Sequence, residues 1–112
     1  MVATAIPLAL DALSQPIRAL VASQPGRPHA EGLLLYAAAD LAERNATFEV
    51  ARYLPSHVLM GDDSGGRGVL VALVAPAYPV FLCDLGALAE EECVPLAASL
   101  QDWIAAGCLL PP

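Results

Sequence analysis

The pattern of apolar positions predicts a helical region near the start of the chain. Five apolar residues recur there at helical spacing, which is typical of an amphipathic helix over about residues 8–23. They are Leu10, Leu13, Ile17, Leu20 and Val21. Pro16 lies inside this region and is expected to divide or kink the helix. Residues 24–28 contain two prolines and a glycine and predict a loop.

A short strand and two helical segments are predicted next. Residues 32–36 form an apolar run with the length of a short strand. Residues 37–44 are rich in helix formers, which favours a helix. A second helical stretch over about residues 46–53 is expected to end before Pro55, because a residue that precedes proline avoids the helical region.

The middle of the chain predicts the sheet. Residues 57–62 are expected to form a strand, and residues 63–66 a turn whose glycines can take positive φ. Residues 68–75 are apolar at every side-chain position, so we expect a central strand covered on both faces. A second turn at 76–79 leads to a third strand at 80–84. Such short connections imply antiparallel neighbours.

The C-terminal part predicts one more helix. Ser99 is a candidate N-cap, with Asp102 three residues later as a variant of the capping box. Gly107 is a candidate C-cap, and residues 109–112 predict an extended tail. The apolar face of this helix consists of Leu100, Trp103 and Ile104. Together these elements predict one α+β domain over residues 1–112, an antiparallel sheet flanked by helices.

The hydrophobic content, 57%, raises the question of a membrane segment. A spanning helix needs about 20 consecutive apolar residues, whereas the best candidate, residues 68–83, is shorter and is interrupted by Pro76 and Pro79. The N-terminus lacks the basic start of a signal peptide, and Pro7 and Asp11 interrupt its apolar run. We therefore expect a cytoplasmic protein without a membrane partner.

The net charge is −7, and it is distributed unevenly along the chain. Residues 1–60 contain five acids and four arginines, and residues 61–112 contain seven acids and one arginine. An acidic surface repels nucleic-acid phosphates and favours a basic partner. The alternative is that the charge only keeps the protein soluble.

The segment Gly-Asp-Asp-Ser-Gly-Gly at residues 61–66 is the strongest candidate for chemistry. It is similar to the serine protease signature, but an extra aspartate changes the spacing, and Asp62 stands where a nucleophile elbow needs glycine. The loop also lacks the Gly-Lys-Ser/Thr ending of a P-loop and the alternating acids of an EF-hand. We expect a tight hairpin whose aspartates cap backbone amides.

The remaining reactive side chains give no recognisable site pattern. His29 and His57 have no Cys, His or carboxylate at metal-ligand spacing, and the three cysteines match no zinc pattern. We expect Cys83, Cys93 and Cys108 to be free thiols, two of them buried. The acidic run at residues 90–92 is expected to be a solvated helix start or loop. We expect no catalytic residue, no metal and no cofactor.

Several motifs, taken in order, resemble a known superfamily. The chain contains Glu-Arg-Asn at 43–45, Tyr-Leu-Pro at 53–55, Gly-Asp-Asp-Ser-Gly-Gly at 61–66, Val-Phe-Leu-Cys-Asp at 80–84 and Ser-Leu-Gln-Asp-Trp-Ile at 99–104. This order resembles the SUKH superfamily, which comprises bacterial immunity proteins related to the fungal Smi/Knr-type cell-wall regulators. The resemblance covers about residues 31–107.

The resemblance implies an α+β fold and a stoichiometric inhibitor, since SUKH proteins mostly bind toxins, often nucleases, and block their active sites. It supplies no catalytic set, so we expect a non-enzymatic protein that binds a basic toxin domain. The residues expected to contact the partner are Asp62, Asp63, Asp84, Glu90, Glu91 and Glu92. The alternatives are a regulatory scaffold of the same fold and a small hydrolase that uses Asp62, Asp63 or His57. A monomer and a homodimer are equally consistent with the sequence.

Overall fold

The computed structural model describes residues 15–22, 32–108 and 110. Over these residues the chain forms an α+β fold, in which a five-stranded antiparallel sheet is accompanied by short helices. The strand order follows the chain, so each strand pairs with the one before it. The predicted fold class is therefore confirmed. The predictions for residues 8–14, 23–31, 109 and 111–112, including the first loop and His29, lie outside the described residues.

The elements have the following bounds. They are α1 (Gln15–Ala22), β1 (Leu34–Leu35), α2 (Ala38–Thr47), α3 (Val50–Tyr53), β2 (His57–Asp62), β3 (Arg67–Ala72), β4 (Val80–Asp84), a 3-10 helix (Glu90–Glu92), β5 (Val94–Ala97) and α4 (Leu100–Ala105). Within the described residues, no helix is long and apolar enough to cross a membrane.

The central strand β3 is buried on both faces, as its apolar run predicts. It ends at Ala72, however, and not at residue 75. Ala72 pairs with His57, the first residue of β2, so no strand partner remains beyond it. Leu73 and Val74 consequently leave the sheet and are exposed at 40% and 57%. The two other predicted strands of the middle segment, β2 and β4, have their expected bounds.

The first helices differ from the prediction in their boundaries. Pro16 is the second residue of the described helix α1, where proline removes no helical hydrogen bond. The predicted division of a longer helix at Pro16 depends on residues 8–14, which lie outside the described residues. The predicted strand at 32–36 is reduced to the two residues of β1. Helix α2 continues to Thr47, and α3 begins at Val50 after Glu49, which has a left-handed φ of 53°.

The C-terminal helix is capped at both ends as predicted. The Ser99 side chain accepts a hydrogen bond from the Asp102 N–H at 3.0 Å. After the last turn, Gly107 has a φ of 94°, its N–H donates to Ile104, and the Cys108 N–H donates to the Trp103 carbonyl. These two bonds form a Schellman motif, which needs a left-handed residue at its glycine position.

Strand β5 was not predicted from the sequence, whereas the exposed acidic run before it was expected to be a helix start or loop. The run at 90–92 forms a 3-10 helix, and β5 follows it directly at the edge of the sheet. Pro95 made β5 hard to predict from the sequence. Proline has no N–H to donate to a strand ladder, so its presence is evidence against an interior strand. Proline is tolerated in an edge strand, because the outer side of that strand has no neighbouring strand to accept a hydrogen bond.

Candidate protein-binding surface

Asp63 organises the hairpin between β2 and β3. Its Oδ1 accepts hydrogen bonds from the Gly65 N–H at 2.8 Å and the Arg67 N–H at 2.9 Å, and its Oδ2 accepts from the Arg67 Nε at 2.8 Å. Burial by itself would raise the pKa of Asp63, but the hydrogen bonds and the charge of Arg67 outweigh it and lower the pKa below its usual range. The Asp63 carboxylate is thus committed to the loop backbone.

Asp62 connects the hairpin with Tyr36, the residue that follows β1. Its Oδ1 accepts from the Ser64 N–H at 2.9 Å, and its Oδ2 accepts from the Tyr36 hydroxyl at 2.6 Å. Burial, followed by this hydrogen bond and the charge of Asp62, raises the pKa of Tyr36. The Ser64 hydroxyl donates to the Gly32 carbonyl at 2.8 Å, and Ser64 has a φ of 64°. The predicted hairpin with aspartate-capped amides is confirmed.

A polar recess of about 300 Å³ lies beside this hairpin. Its walls consist of Leu34, Tyr36, Asp40, Arg44 and Asp62. The Tyr36 hydroxyl and Asp62 already bond to each other inside it. The recess therefore offers mainly the charged ends of Asp40 and Arg44, which stand one turn apart on α2.

Asp84 lies at the same end of the sheet as Asp62 and Asp63. It is the last residue of β4 and stands opposite Arg67, the first residue of β3. Its side chain is exposed, and its Oδ1 accepts from the Gly86 N–H at 2.7 Å. The structure thus brings three of the six predicted contact residues together at one end of the sheet.

The other three predicted contact residues lie in the connection that leaves β4 after Asp84 and enters β5 at Val94, opposite Leu82. Glu90–Glu92 make up the 3-10 helix in the β4–β5 connection, and all three are exposed. The charge of Glu90 acts on His57, which starts β2 and so lies at the end of that strand opposite Asp62. Val94, two residues after the acidic run, is 58% exposed on the edge strand β5. An acidic segment therefore adjoins an exposed apolar side chain.

His57 does not join the aspartates of the hairpin. It is separated from Asp62 by the length of β2, roughly 17 Å at about 3.4 Å per residue. Burial lowers the pKa of His57, although Glu90 opposes this effect. The His57 Nδ1 is buried without a hydrogen-bond partner, and the ring contacts Phe81 edge-on at 5.8 Å. The catalytic grouping of His57 with Asp62 or Asp63 is not formed.

The three cysteines are free thiols, as expected. The prediction that two of them are buried is wrong in number, since Cys83 is buried while Cys93 and Cys108 are partly exposed. Cys93 adjoins the edge strand, and Cys108 follows the last helix. Among the described residues, no group of three His, Cys, Asp or Glu side chains could hold a metal ion.

Sequence reasoning gave no role to Asn45, the one buried polar or charged residue among those described. Its Nδ2 donates to the carbonyls of Leu41 and Leu59, each at 2.9 Å, and its Oδ1 accepts from the Leu59 N–H at 2.8 Å. The available signal is its spacing: Asn45 follows Leu41 by four residues and so lies on the apolar face of α2.

Comparison with known proteins adds no family assignment. No protein-family model matches the chain, and no curated protein matches it significantly.

Proposed function

We propose that this chain is a non-catalytic, cytoplasmic protein-binding module that binds a basic protein, and that it is an immunity protein that neutralises a cognate bacterial toxin. The observation that carries the proposal is the exposed acidic 3-10 helix Glu90–Glu92 beside the exposed Val94. The SUKH-type order of motifs supports the toxin as the partner.

Within the described ranges, no ion pair uses the charges of the 3-10 helix. The described arginines with ion pairs use other acids: Arg44 contacts Glu43, Arg52 contacts Glu49, and Arg67 contacts Asp63. Exposed charges of one sign steer an oppositely charged protein toward the surface and raise the association rate. Asp84 and the two hairpin aspartates extend the negative field toward the end of the sheet, although the hairpin carboxylates already accept hydrogen bonds.

The neighbouring edge strand supplies the apolar part of the surface. Stable interfaces combine a desolvated apolar centre with a polar rim. Val94 offers such a centre at the start of β5, and Glu90–Glu92 form its acidic rim. This arrangement suits a partner that presents an apolar side chain surrounded by lysine or arginine.

The proposal is tested by binding the purified chain to the product of the adjacent gene. We expect a basic toxin domain to be retained in near-equal amount and to lose its toxicity. Failure to retain any protein from this source or from the host lysate would favour the regulatory scaffold of the same fold.

A pair of charge-reversal variants tests the surface. Glu91→Lys with Glu92→Lys should slow association by about tenfold or more at low salt and reduce its salt dependence. The matched control is Asp40→Lys with Glu43→Lys, which makes the same charge change at two exposed sites on α2. Equal effects of the two double variants, measured by stopped-flow association at several salt concentrations, would show that the 3-10 helix is not the contact.

A further inference from the structure

Cys83 lies on β4, and Cys93 directly precedes the neighbouring strand β5. Leu82 of β4 pairs with Val94 of β5 in the antiparallel ladder. Extending this register by one residue, beyond the N-terminal end of β5, sets Cys93 opposite Cys83, although the spacing of ten residues in the sequence carries no such signal. Two thiols separated by a 3-10 helix and a loop are thus placed side by side by strand pairing.

The backbone hydrogen bonds of β4 indicate whether Cys83 and Cys93 form a hydrogen-bonded or a non-hydrogen-bonded pair of antiparallel positions. The Pro79 carbonyl accepts from the Ala72 N–H, and the Leu85 N–H donates to the Gly66 carbonyl, each at 2.9 Å. Backbone groups of alternate residues point the same way along a strand. Cys83 is separated from both Pro79 and Leu85 by an even number of positions along the strand. Its backbone N–H and carbonyl therefore point toward β3 and away from β5. The Cys93 N–H likewise turns away from β4, because it donates to the Glu90 carbonyl.

A pair of this non-hydrogen-bonded type brings Cα atoms to about 4.5 Å, which lies within the range of about 4.4–6.8 Å that a disulfide spans. The thiols themselves converge on one atom. The Sγ atoms of Cys93 and Cys83 lie 3.4 Å and 3.9 Å from the Ala89 carbonyl oxygen. Both sulfur atoms therefore lie near one and the same carbonyl oxygen.

We propose that Cys83 and Cys93 form a reversible intramolecular disulfide when the folded protein meets a small-molecule disulfide such as oxidised glutathione. The more exposed Cys93 thiolate attacks one sulfur of oxidised glutathione, forms a mixed disulfide and releases one reduced glutathione. The Cys83 thiolate then attacks the Cys93 sulfur and releases the second. Two protein thiols are oxidised, and one glutathione disulfide is reduced to two thiols, which receive the two protons.

The local environment sets the rate of this exchange. Burial, followed by the neighbouring Cys83 and the carboxylates of Glu90 and Glu91, raises the pKa of Cys93 to about 12. The thiolate is therefore scarce at neutral pH, and the exchange is slow. The loop closed by the bond contains Asp84 and Glu90–Glu92, so oxidation fixes the acidic connection against β4. Only an effect of this constraint on partner binding rests on the proposed function.

The test uses the full chain with Cys108→Ser, which leaves two thiols. It is incubated for hours with excess oxidised glutathione at mildly alkaline pH and then digested with a protease that cleaves after glutamate. Cleavage at Glu90–Glu92 separates the two cysteines, so a Cys83–Cys93 bond joins two peptides that a reductant releases. We expect titratable thiols to fall from two per chain to none, with an intact mass lower by two hydrogens.

Two controls keep the result interpretable. Cys93→Ser in the wild-type background retains Cys83 and Cys108 and should form no internal bond. If Cys108→Ser does not fold, the wild-type chain should lose two of its three thiols. Persistent free thiols, or glutathione adducts that never resolve into the linked peptides, in a chain whose Trp103 fluorescence is that of the folded protein, would overturn the proposal.

Discussion

Asn45 acts in place of a strand residue at the edge of β2. The short strand β1 pairs only with Gly61 and Asp62, so it does not reach Leu59. The Asn45 side-chain amide supplies both partners there, since it accepts from the Leu59 N–H and donates to the Leu59 carbonyl. One polar side chain thereby satisfies two backbone groups next to the core.

Replacement of Asn45 by alanine should be strongly destabilising. The buried Leu59 N–H and carbonyl would lose their partners, at a cost of about 3 kcal/mol in the free energy of unfolding. The single tryptophan, Trp103, is buried and reports unfolding in urea by fluorescence. Thr47→Ala is the matched control, because its hydroxyl bonds to Glu43 at an exposed site of the same helix; its effect should be about 0.5 kcal/mol or less. Similar losses for both variants would contradict this role of Asn45.

His57 should make the stability depend on pH. Burial lowers its pKa in the folded protein, against the opposing charge of Glu90. The unfolded chain therefore binds a proton at higher pH than the folded chain. The resulting stability is fully present above the unfolded pKa of about 6.5 and is lost as the pH falls through the lower folded pKa. His57→Gln should flatten the unfolding free energy between about pH 7 and pH 5, and an unchanged slope would refute the assignment.

At the scale of elements, the pairing of β1 with β2 depends on a glycine. A Cβ on Gly61 would collide with the Leu34 carbonyl oxygen and lie 3.1 Å from the Leu35 Cα. Both obstacles are backbone atoms, which cannot rotate away as a side chain can. The close approach of the two-residue strand is thus possible only without a side chain at this position.

Gly61→Ala should therefore separate β1 from β2 and lower the free energy of unfolding by about 2 kcal/mol. Gly65→Ala is the matched control in the adjacent hairpin, where the new Cβ would meet the Asp63 Oδ1 at an ordinary 3.5 Å. Hydrogen exchange at Tyr36, whose N–H donates to the Met60 carbonyl, should accelerate only in the first variant. Equal protection in both variants would mean that β1 tolerates the added methyl group.

At the scale of the whole molecule, the folded sheet determines which acidic side chains and which thiols lie near each other. The C-terminal half carries most of the net charge. Three of its six candidate contact residues lie at the hairpin end of the sheet, and the other three form the 3-10 helix between Asp84 and β5. The thiols of Cys83 and Cys93 both lie near the Ala89 carbonyl oxygen, next to the paired strands β4 and β5. A partner, in our proposal, meets the acidic helix and the edge strand together.

The sequence by itself determined the elements whose signals are local. The strands β2 and β4, the hairpin at 63–66, and both caps of α4 follow from short-range chemistry, because turn glycines, capping hydroxyls and apolar runs act within a few residues. The acidic hairpin residues were found in the same way, although their hydrogen bonds with Tyr36 and Arg67 were not.

The tertiary structure decided whatever depends on a distant partner. Strand β3 ends at Ala72 because its neighbours end there, and Pro95 lies in a strand because that strand is at an edge. Asn45 is buried where its amide bonds to the Leu59 backbone, and Cys83 and Cys93 are brought near the same Ala89 carbonyl by the folded β4–β5 connection. Composition and periodicity describe one segment at a time, whereas pairing between segments depends on the long-range contacts that only the folded chain provides.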